Sequence, residues 1–133
     1  MRGIAKRFPG VVALDNVSLE VGKGEVLALC GENGAGKSTL MKILGGVYQP
    51  DEGEVLVDGQ PVKVNNVTDA MKLGIAFIHQ ELNVLENLDV AANVFLGREP
   101  LIGPFKLIDQ KKIHADTEPY LKRLGLNISS KTR

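Results

Sequence analysis

A glycine-rich run that ends in a lysine and two hydroxyl residues is the part of this sequence whose residue types and spacing could do chemistry. The pattern G-x-x-x-x-G-K-[ST] is matched by Gly31-Glu32-Asn33-Gly34-Ala35-Gly36-Lys37-Ser38-Thr39. Glycines let successive backbone N–H groups converge on phosphate oxygens, and a following helix adds the positive end of its dipole. Lys37 supplies a mobile positive charge for the β- and γ-phosphates, and the Ser38 hydroxyl is a hard oxygen ligand of the kind that Mg²⁺ takes. Residues 31–39 therefore predict a site for a magnesium-bound nucleoside triphosphate.

Such a loop needs a strand before it and a helix after it, and the flanking patterns predict both. Glu25 to Cys30 contains a continuous apolar run, which is typical of a strand covered on both faces in a parallel sheet. At the end of such a strand, Cys30 is expected to be a buried, inert thiol. Thr39 to Gly45 has apolar residues at helical spacing and ends at two glycines, which favours a helix.

The other elements before residue 79 alternate between strand and helix. Residues 11–21 end in alternating apolar and polar side chains, as a half-buried strand does. Asp58-Gly59 predicts a hairpin turn between strands at Glu54 to Asp58 and Pro61 to Val64. A short helix from Asp69 to Leu73, closed by Gly74, precedes a short strand from Ile75 to Ile78. Because β and α elements alternate, the predicted fold class is α/β.

Helices dominate after Asn83. Asp89 can cap a helix that runs through Leu96, and Asp109 can cap a second one. Arg98 to Leu107 contains two prolines and a glycine and is predicted to be a loop, and Pro119 is expected to kink or split the second helix.

The charge composition limits the partners that the chain can attract by its overall charge. The 133 residues contain 16 Lys plus Arg and 16 Asp plus Glu, so no overall charge attracts nucleic acid. The apolar stretches fall far short of the roughly 20 residues that span a bilayer, and Met1-Arg2-Gly3 opens no signal-peptide pattern. A cytoplasmic chain is expected.

Beyond the loop, the amino-acid sequence of the whole chain resembles the ATP-binding cassette (ABC) family. The resemblance rests on Gly31 to Leu40, on Pro50-Asp51-Glu52-Gly53-Glu54-Val55, and on Gln80 at the end of a short strand. It implies a P-loop core with an N-terminal antiparallel β portion at 1–83 and the beginning of a helical subdomain at 84–133. It also implies that Phe8 stacks on adenine, that Ala13 lies beside the base, and that Gln80 reaches Mg²⁺ or the attacking water from a movable loop.

Three further segments resemble the ATPase subunits of monosaccharide importers of the ribose, galactose and xylose type. They are Met41 to Tyr48, Ile78 to Leu82 and Gly97 to Pro100. Such subunits carry two cassettes, and the sequence of this loop resembles that of the first cassette. The resemblance implies ATP and Mg²⁺ as cofactors, a second cassette and transmembrane permease subunits as partners, and a peripheral place on the inner face of the cell membrane.

Several parts of a complete cassette are missing from these residues. The family also needs an acidic Mg²⁺ ligand ending a strand, a neighbouring glutamate, a switch histidine and an LSGGQ-type signature, and no segment here matches them. We therefore expect an incomplete cassette that binds nucleotide without hydrolysing it. Because the neighbouring strands are missing, Val26 to Cys30 is expected to expose its apolar faces and open edges. The longer parent would be the ATPase.

Two alternatives stay open at this stage. One is a P-loop small-molecule kinase, although no Arg-rich lid follows the core. The other is a nucleotide-switched interaction module that uses residues 84–125. In the transporter interpretation the same segment is the coupling surface toward a permease, with Glu81, Glu86 and Arg98 at its rim and Leu82, Val84 and Leu85 at its centre.

Overall fold

The computed structural model describes residues 1–78 and 84–133, and it divides the chain into two compact units. The first unit is Met1–Ile78 and the second is His79–Arg133. Gln80, the predicted Q-loop residue, lies outside the described residues together with His79, Glu81 and Leu82.

The first unit is a four-stranded antiparallel sheet with two helices. Its elements are β1 (Arg2–Phe8), β2 (Val11–Val17), α1 (Lys37–Leu44), β3 (Glu52–Val57), β4 (Gln60–Val62) and α2 (Val67–Lys72). The strand order is β2-β1-β3-β4, so β1 is central and forms a hairpin with β2. The predicted Asp58-Gly59 turn is confirmed, because it joins β3 to β4.

One apolar cluster holds the sheet against α1 and α2. Its buried members come from four strands or strand ends and from both helices: Ile4, Leu14, Leu40, Ile43, Val55, Val64 and Ala70. Helix α1 starts at Lys37, two residues before the predicted start, because its buried face begins only at Leu40 while its backbone turns helical directly after Gly36. The core thus fixes the helix that leaves the glycine-rich loop.

Two predicted strands are wrong for this structure: residues 25–30, predicted for a parallel sheet, and residues 75–78. Residues 25–30 and 75–78 are in no strand, and every strand pair among the described residues is antiparallel. A parallel strand needs hydrogen-bonding neighbours beside it, and none of the described strands pairs with these segments. As expected for a run without neighbours, its apolar side chains are exposed, Val26 to 97%. Cys30 is exposed as well, so its prediction as a buried thiol is wrong.

The described part of the second unit, residues 84–133, contains two helices and a small hairpin. Its elements are α3 (Val90–Val94), β5 (Leu101–Ile102), β6 (Leu107–Ile108) and α4 (Gln110–Arg123). Both predicted caps are confirmed, since the carboxylates of Asp89 and Asp109 accept hydrogen bonds from Ala92 N and Lys112 N. The predicted loop at 98–107 contains β5 and the start of β6, so it is more ordered than expected.

Pro119 lies inside α4 without splitting it. Proline removes the N–H that would reach the carbonyl of Ala115, and Ala115 is exposed, so water can take that carbonyl. The side chains of Ile113, Thr117 and Leu121 are buried on both sides of the proline and hold the helix in one piece. Within the described residues, no helix is both long and apolar enough to cross a membrane.

Gly46 yields a stability test, because two constraints act on it at once. Its φ is 76°, and a Cβ built on it would overlap the carbonyl oxygen of Asn66, which caps α2. Gly74 has a similar φ of 80° but open space around its Cβ position. We therefore expect Gly74→Ala to cost about 1–2 kcal/mol of unfolding free energy, from the left-handed backbone alone, and Gly46→Ala to cost clearly more. Urea denaturation measures both. Equal losses would mean that the end of α1 does not need its close approach to Asn66.

Candidate functional site

The glycine-rich loop is held against the sheet at Gly36. This residue caps α1 in the left-handed conformation with φ 86°. A Cβ at Gly36 would lie 2.5 Å from the carbonyl oxygen of Ala13 and 2.8 Å from Cδ2 of Leu14, both in β2. Only glycine therefore allows β2 to reach the start of the helix, and the predicted site residue Ala13 is placed directly on the loop through its backbone.

Lys37 folds back over its own loop. Its Nζ donates hydrogen bonds to the carbonyl oxygens of Gly31 at 2.6 Å and Glu32 at 2.7 Å. None of the ion pairs among the described residues uses Lys37, and the first turn of α1 contains no acidic residue. The ammonium charge is thus available to an anion that enters the loop, while the α1 dipole adds to the same positive potential.

The remaining loop residues are mostly exposed. Asn33, Gly34 and Ala35 are exposed, and Ala35 N donates to the carbonyl of Glu32 at 3.2 Å, which closes the turn. Ser38 is exposed on the first turn of α1, and Thr39 is partly buried beside it. All nine residues predicted from the motif therefore lie in one loop and the first turn of one helix.

The oxygen donors of the loop suit a Mg²⁺ ion that is bound partly by the protein and partly by phosphate. Within the described ranges, no group of three or more His, Cys, Asp or Glu side chains could hold a metal by itself. The exposed Ser38 hydroxyl is a hard oxygen donor next to Lys37, and Mg²⁺ commonly combines one or two protein ligands with phosphate oxygens and water. The residues present therefore fit the ion, with Ser38 as the ligand that this part of the chain supplies.

Phe8 ends the central strand β1 and is packed by an aromatic and a cationic neighbour. Its ring lies edge-on to Tyr48, with centroids 5.3 Å apart and planes at 71°. Nζ of Lys6 lies 5.7 Å from the Phe8 centroid. Phe8 pairs with Val11 across the β1–β2 hairpin, so Phe8 and Ala13 belong to one hairpin that contacts the loop at Gly36.

Two side chains with no assigned role in the sequence interpretation support Phe8. Tyr48 contacts its ring, and Asp51 accepts hydrogen bonds from Lys6 Nζ at 2.8 Å and Arg7 N at 2.6 Å. The bond from Lys6 and then the bond from the Arg7 backbone hold the pKa of Asp51 below its usual value. From the sequence, Asp51 is predicted only as a turn residue after Pro50, and the pairing of β1 with β3 places it beside Lys6 and Arg7.

In the second unit, the described part of the predicted coupling surface is exposed. Val84 is 63% and Leu85 42% exposed. Leu85 is nevertheless fixed, because its N donates to Asn93 Oδ1 at 2.8 Å and its carbonyl accepts from Asn93 Nδ2 at 3.0 Å. Arg98 donates from two nitrogens to the carbonyl of Val94 and lies over the ring of Phe95.

The last residues of the chain return to the start of α3. Val90 N and Ala91 N donate to the carbonyls of Thr132 and Ser130, and Ser130 is buried. The His114 ring lies near both segments, with Nδ1 3.3 Å from Ser130 Oγ and Nε2 3.8 Å from Asp89 Oδ2. These contacts make residues 84–133 one packed unit around α3 and α4.

Comparison with known proteins gives consistent matches. The family model described as ABC transporter matches residues 14–133. The galactose/methyl galactoside import ATP-binding protein MglA 1 of Photobacterium profundum is 52% identical over 132 residues, which are 99% of this chain and 27% of that protein. The ribose import ATP-binding protein RbsA 2 of Streptomyces coelicolor is 50% identical over 133 residues, or 100% of this chain and 25% of that protein. The chain thus spans about a quarter of the length of these curated relatives.

A solved structure supports the same fold. The structure of cbiO1 from Clostridium perfringens, described as part of the ABC transporter complex cbiONQ, superposes with a TM-score of 0.60. The match covers 95% of this chain and 49% of that chain at 23% identity. At that identity the likeness concerns the fold alone.

The lowered pKa of Asp51 gives a pH-dependent prediction. A carboxylate whose pKa is lower in the folded state adds stability above its unfolded pKa of about 3.9, and that stability is lost as the pH falls through the folded pKa. We expect Asp51→Asn to be less stable than the parent chain at pH 7 and the difference to shrink as the pH falls below about 4. Urea denaturation at several pH values from about 2 to 7 measures this.

Glu52→Gln is the matched control, because it removes the neighbouring carboxylate from an exposed pair with Arg7. Exposed pairs contribute little, so its effect at pH 7 should be smaller than that of Asp51→Asn. A gap between Asp51→Asn and the parent chain that stays constant down to pH 2 would contradict the assignment.

Proposed function

Because the chain belongs to the ABC transporter family, we propose that it is the ATP-binding part of a sugar importer and binds Mg-ATP on residues 31–39. The observation that carries the proposal is the complete phosphate loop that leads into α1 with the Lys37 ammonium held over it. Family membership favours this function over a small-molecule kinase and over a nucleotide-switched interaction module.

The loop residues take distinct roles in this proposal. The backbone N–H groups of residues 33–38 other than Ala35, whose N–H closes the turn to Glu32, bind phosphate oxygens, helped by the dipole of α1. Lys37 leaves the carbonyls of Gly31 and Glu32 and pairs with the β- and γ-phosphates, which accept stronger, charge-assisted hydrogen bonds. Ser38 supplies a hydroxyl ligand to Mg²⁺, which neutralises phosphate charge when bound. Gln80 is proposed as a second contact to the ion or to the attacking water.

The base is proposed to stack on Phe8, with Ala13 at its side. Phe8 is partly buried and backed by Tyr48 and Lys6, which leaves an aromatic surface of fixed orientation. Its hairpin contacts the phosphate loop through Ala13 and Gly36, so base and phosphate groups have a fixed relation within the first unit.

The longer protein is proposed to use this site for transport. Its relatives are named for the import of galactose, methyl galactoside and ribose, which supports a monosaccharide as cargo. We propose that hydrolysis requires a second cassette and the acidic, glutamate, histidine and signature elements outside these residues, so this stretch binds nucleotide without turning it over. Residues 1–83 act as the ATP-binding core and 84–133 as the start of the helical subdomain, on the inner face of the cell membrane beside permease subunits.

Replacing Lys37 tests the nucleotide site. Lys37→Ala removes the lysine of the loop, and charge-assisted hydrogen bonds contribute roughly 1.5–3 kcal/mol each, so Mg-ATP affinity should fall at least about tenfold. Isothermal titration calorimetry measures the affinity. Lys23→Ala is the matched control, because Lys23 is an exposed lysine in a turn outside the loop and its loss should leave the affinity unchanged. Equal Mg-ATP affinity in the Lys37 variant and the parent chain would refute the site.

The coupling surface has its own test in the second unit. Val84 and Leu85 are exposed although the backbone of Leu85 is fixed to Asn93, which favours a contact surface over packing beneath α3. We expect cysteine cross-linking from position 85 or 86 of the longer protein to its permease partner. A cysteine at Lys131, on the exposed C-terminal segment, is the control and should cross-link less. An assembled complex without a cross-link from 85 or 86 would leave this segment with a packing role only.

A further inference from the structure

The strand that carries Phe8 loses its regular pairing with β3 before that residue, although Phe8 still pairs with Val11 of β2. The last pair between β1 and β3 is Ala5 with Glu52. On its other edge, the register with β2 shifts between Ile4 and Lys6 and again between Lys6 and Arg7. The end of β1 therefore depends on contacts other than a regular ladder with β3.

Asp51 supplies those contacts from the residue before β3. Its backbone N donates to the carbonyl of Ala5 at 2.9 Å, which places the side chain beside the end of β1. Its Oδ2 accepts from the backbone N of Arg7 at 2.6 Å, in place of a carbonyl from a neighbouring strand. The carboxylate thus continues the pairing of β1 by one further hydrogen bond, next to Phe8.

The second carboxylate oxygen of Asp51 is linked to the Phe8 ring indirectly, because it binds Lys6 and Lys6 contacts the ring. Oδ1 accepts from Lys6 Nζ at 2.8 Å, and the Lys6 side chain is only 16% exposed. The same Nζ lies 5.7 Å from the centroid of the Phe8 ring, within the range of a cation–π contact. A lysine with four rotatable methylene groups would not stay over the ring by this weak contact alone, so the ion pair with Asp51 determines its position.

We propose that Asp51 is a positioning residue for the base of the nucleotide, because its carboxylate fixes Lys6 and the backbone of Arg7 and thereby the orientation of Phe8. The proposal rests on the proposed function, in which the base stacks on Phe8. The phosphate loop is held by a different contact, that of Gly36 with Ala13 of β2, in which the Asp51 carboxylate takes no part. Loss of Asp51 should therefore weaken the binding of the base and leave the binding of the phosphates unchanged.

Comparing two ligands separates these effects. Calorimetry with Mg-ATP and with magnesium inorganic triphosphate measures the contribution of the base as the ratio of the two affinities. In Asp51→Asn the amide oxygen can still accept from Arg7 N, but the charge that holds Lys6 is gone. We expect Mg-ATP to bind about two- to tenfold more weakly, which is the range of an aromatic contact, and triphosphate to bind as in the parent chain.

Two further variants complete the experiment, one as a second test and one as a control. Lys6→Met keeps the bond from Arg7 N to Asp51 and removes only the ammonium, so it should lower the ATP-to-triphosphate ratio in the same direction, and it carries the test if Asp51→Asn does not fold. Glu52→Gln is the matched control, because it removes the adjacent carboxylate, which pairs with the exposed Arg7 guanidinium, and its ratio should stay unchanged.

Phe8→Ala separates failure of this inference from failure of the proposed function. If Phe8→Ala lowers the ratio but Asp51→Asn and Lys6→Met do not, the base stacks on Phe8 and Asp51 does not position it. An equal loss of triphosphate and ATP affinity in Asp51→Asn and Lys6→Met would also overturn the proposal, because it would show an effect on the whole unit. If Phe8→Ala leaves the ratio unchanged, the base does not stack on Phe8, and both the inference and that part of the proposed function are wrong.

Discussion

The contact between Gly36 and the backbone of β2 is the constraint on which the first unit depends. A hydrogen atom in place of a side chain lets the carbonyl of Ala13 lie against the start of α1. This approach fixes the beginning of the helix, the direction of Lys37 and the distance from the loop to the β1–β2 hairpin. Any larger residue would separate the sheet from the loop, and the two halves of the candidate site would no longer share one framework.

Parts of the structure that depend on local chemistry could be predicted from the sequence. The helix that follows the glycine-rich loop, the Asp58-Gly59 turn and the caps at Asp89 and Asp109 each need only a few neighbouring residues, and all of them are present. Features that depend on contacts between residues distant in sequence are harder to predict. Asp51 looks like an ordinary turn residue until β1 and β3 pair, because its partners Lys6 and Arg7 lie far away in sequence.

The errors have a common physical origin as well. An apolar run such as residues 25–30 becomes a buried strand only if neighbouring strands pair with its edges and other elements cover its faces, and none of the described strands pairs with it. Pro119 is expected to kink or split α4, and the split does not occur, because burial on both sides of the proline outweighs one lost hydrogen bond. In both cases tertiary contacts, present or missing, override the local pattern.

The hydrogen bonds of Lys37 to its own loop bear on selectivity among anions. The ammonium already has two carbonyl partners, so an entering anion gains only the difference between its own attraction and theirs. A weakly charged oxyanion offers little more than two peptide dipoles, whereas a polyphosphate brings several formal charges to the same point. The loop therefore contains an internal competitor, and the charge of the ligand sets how far binding can proceed against it.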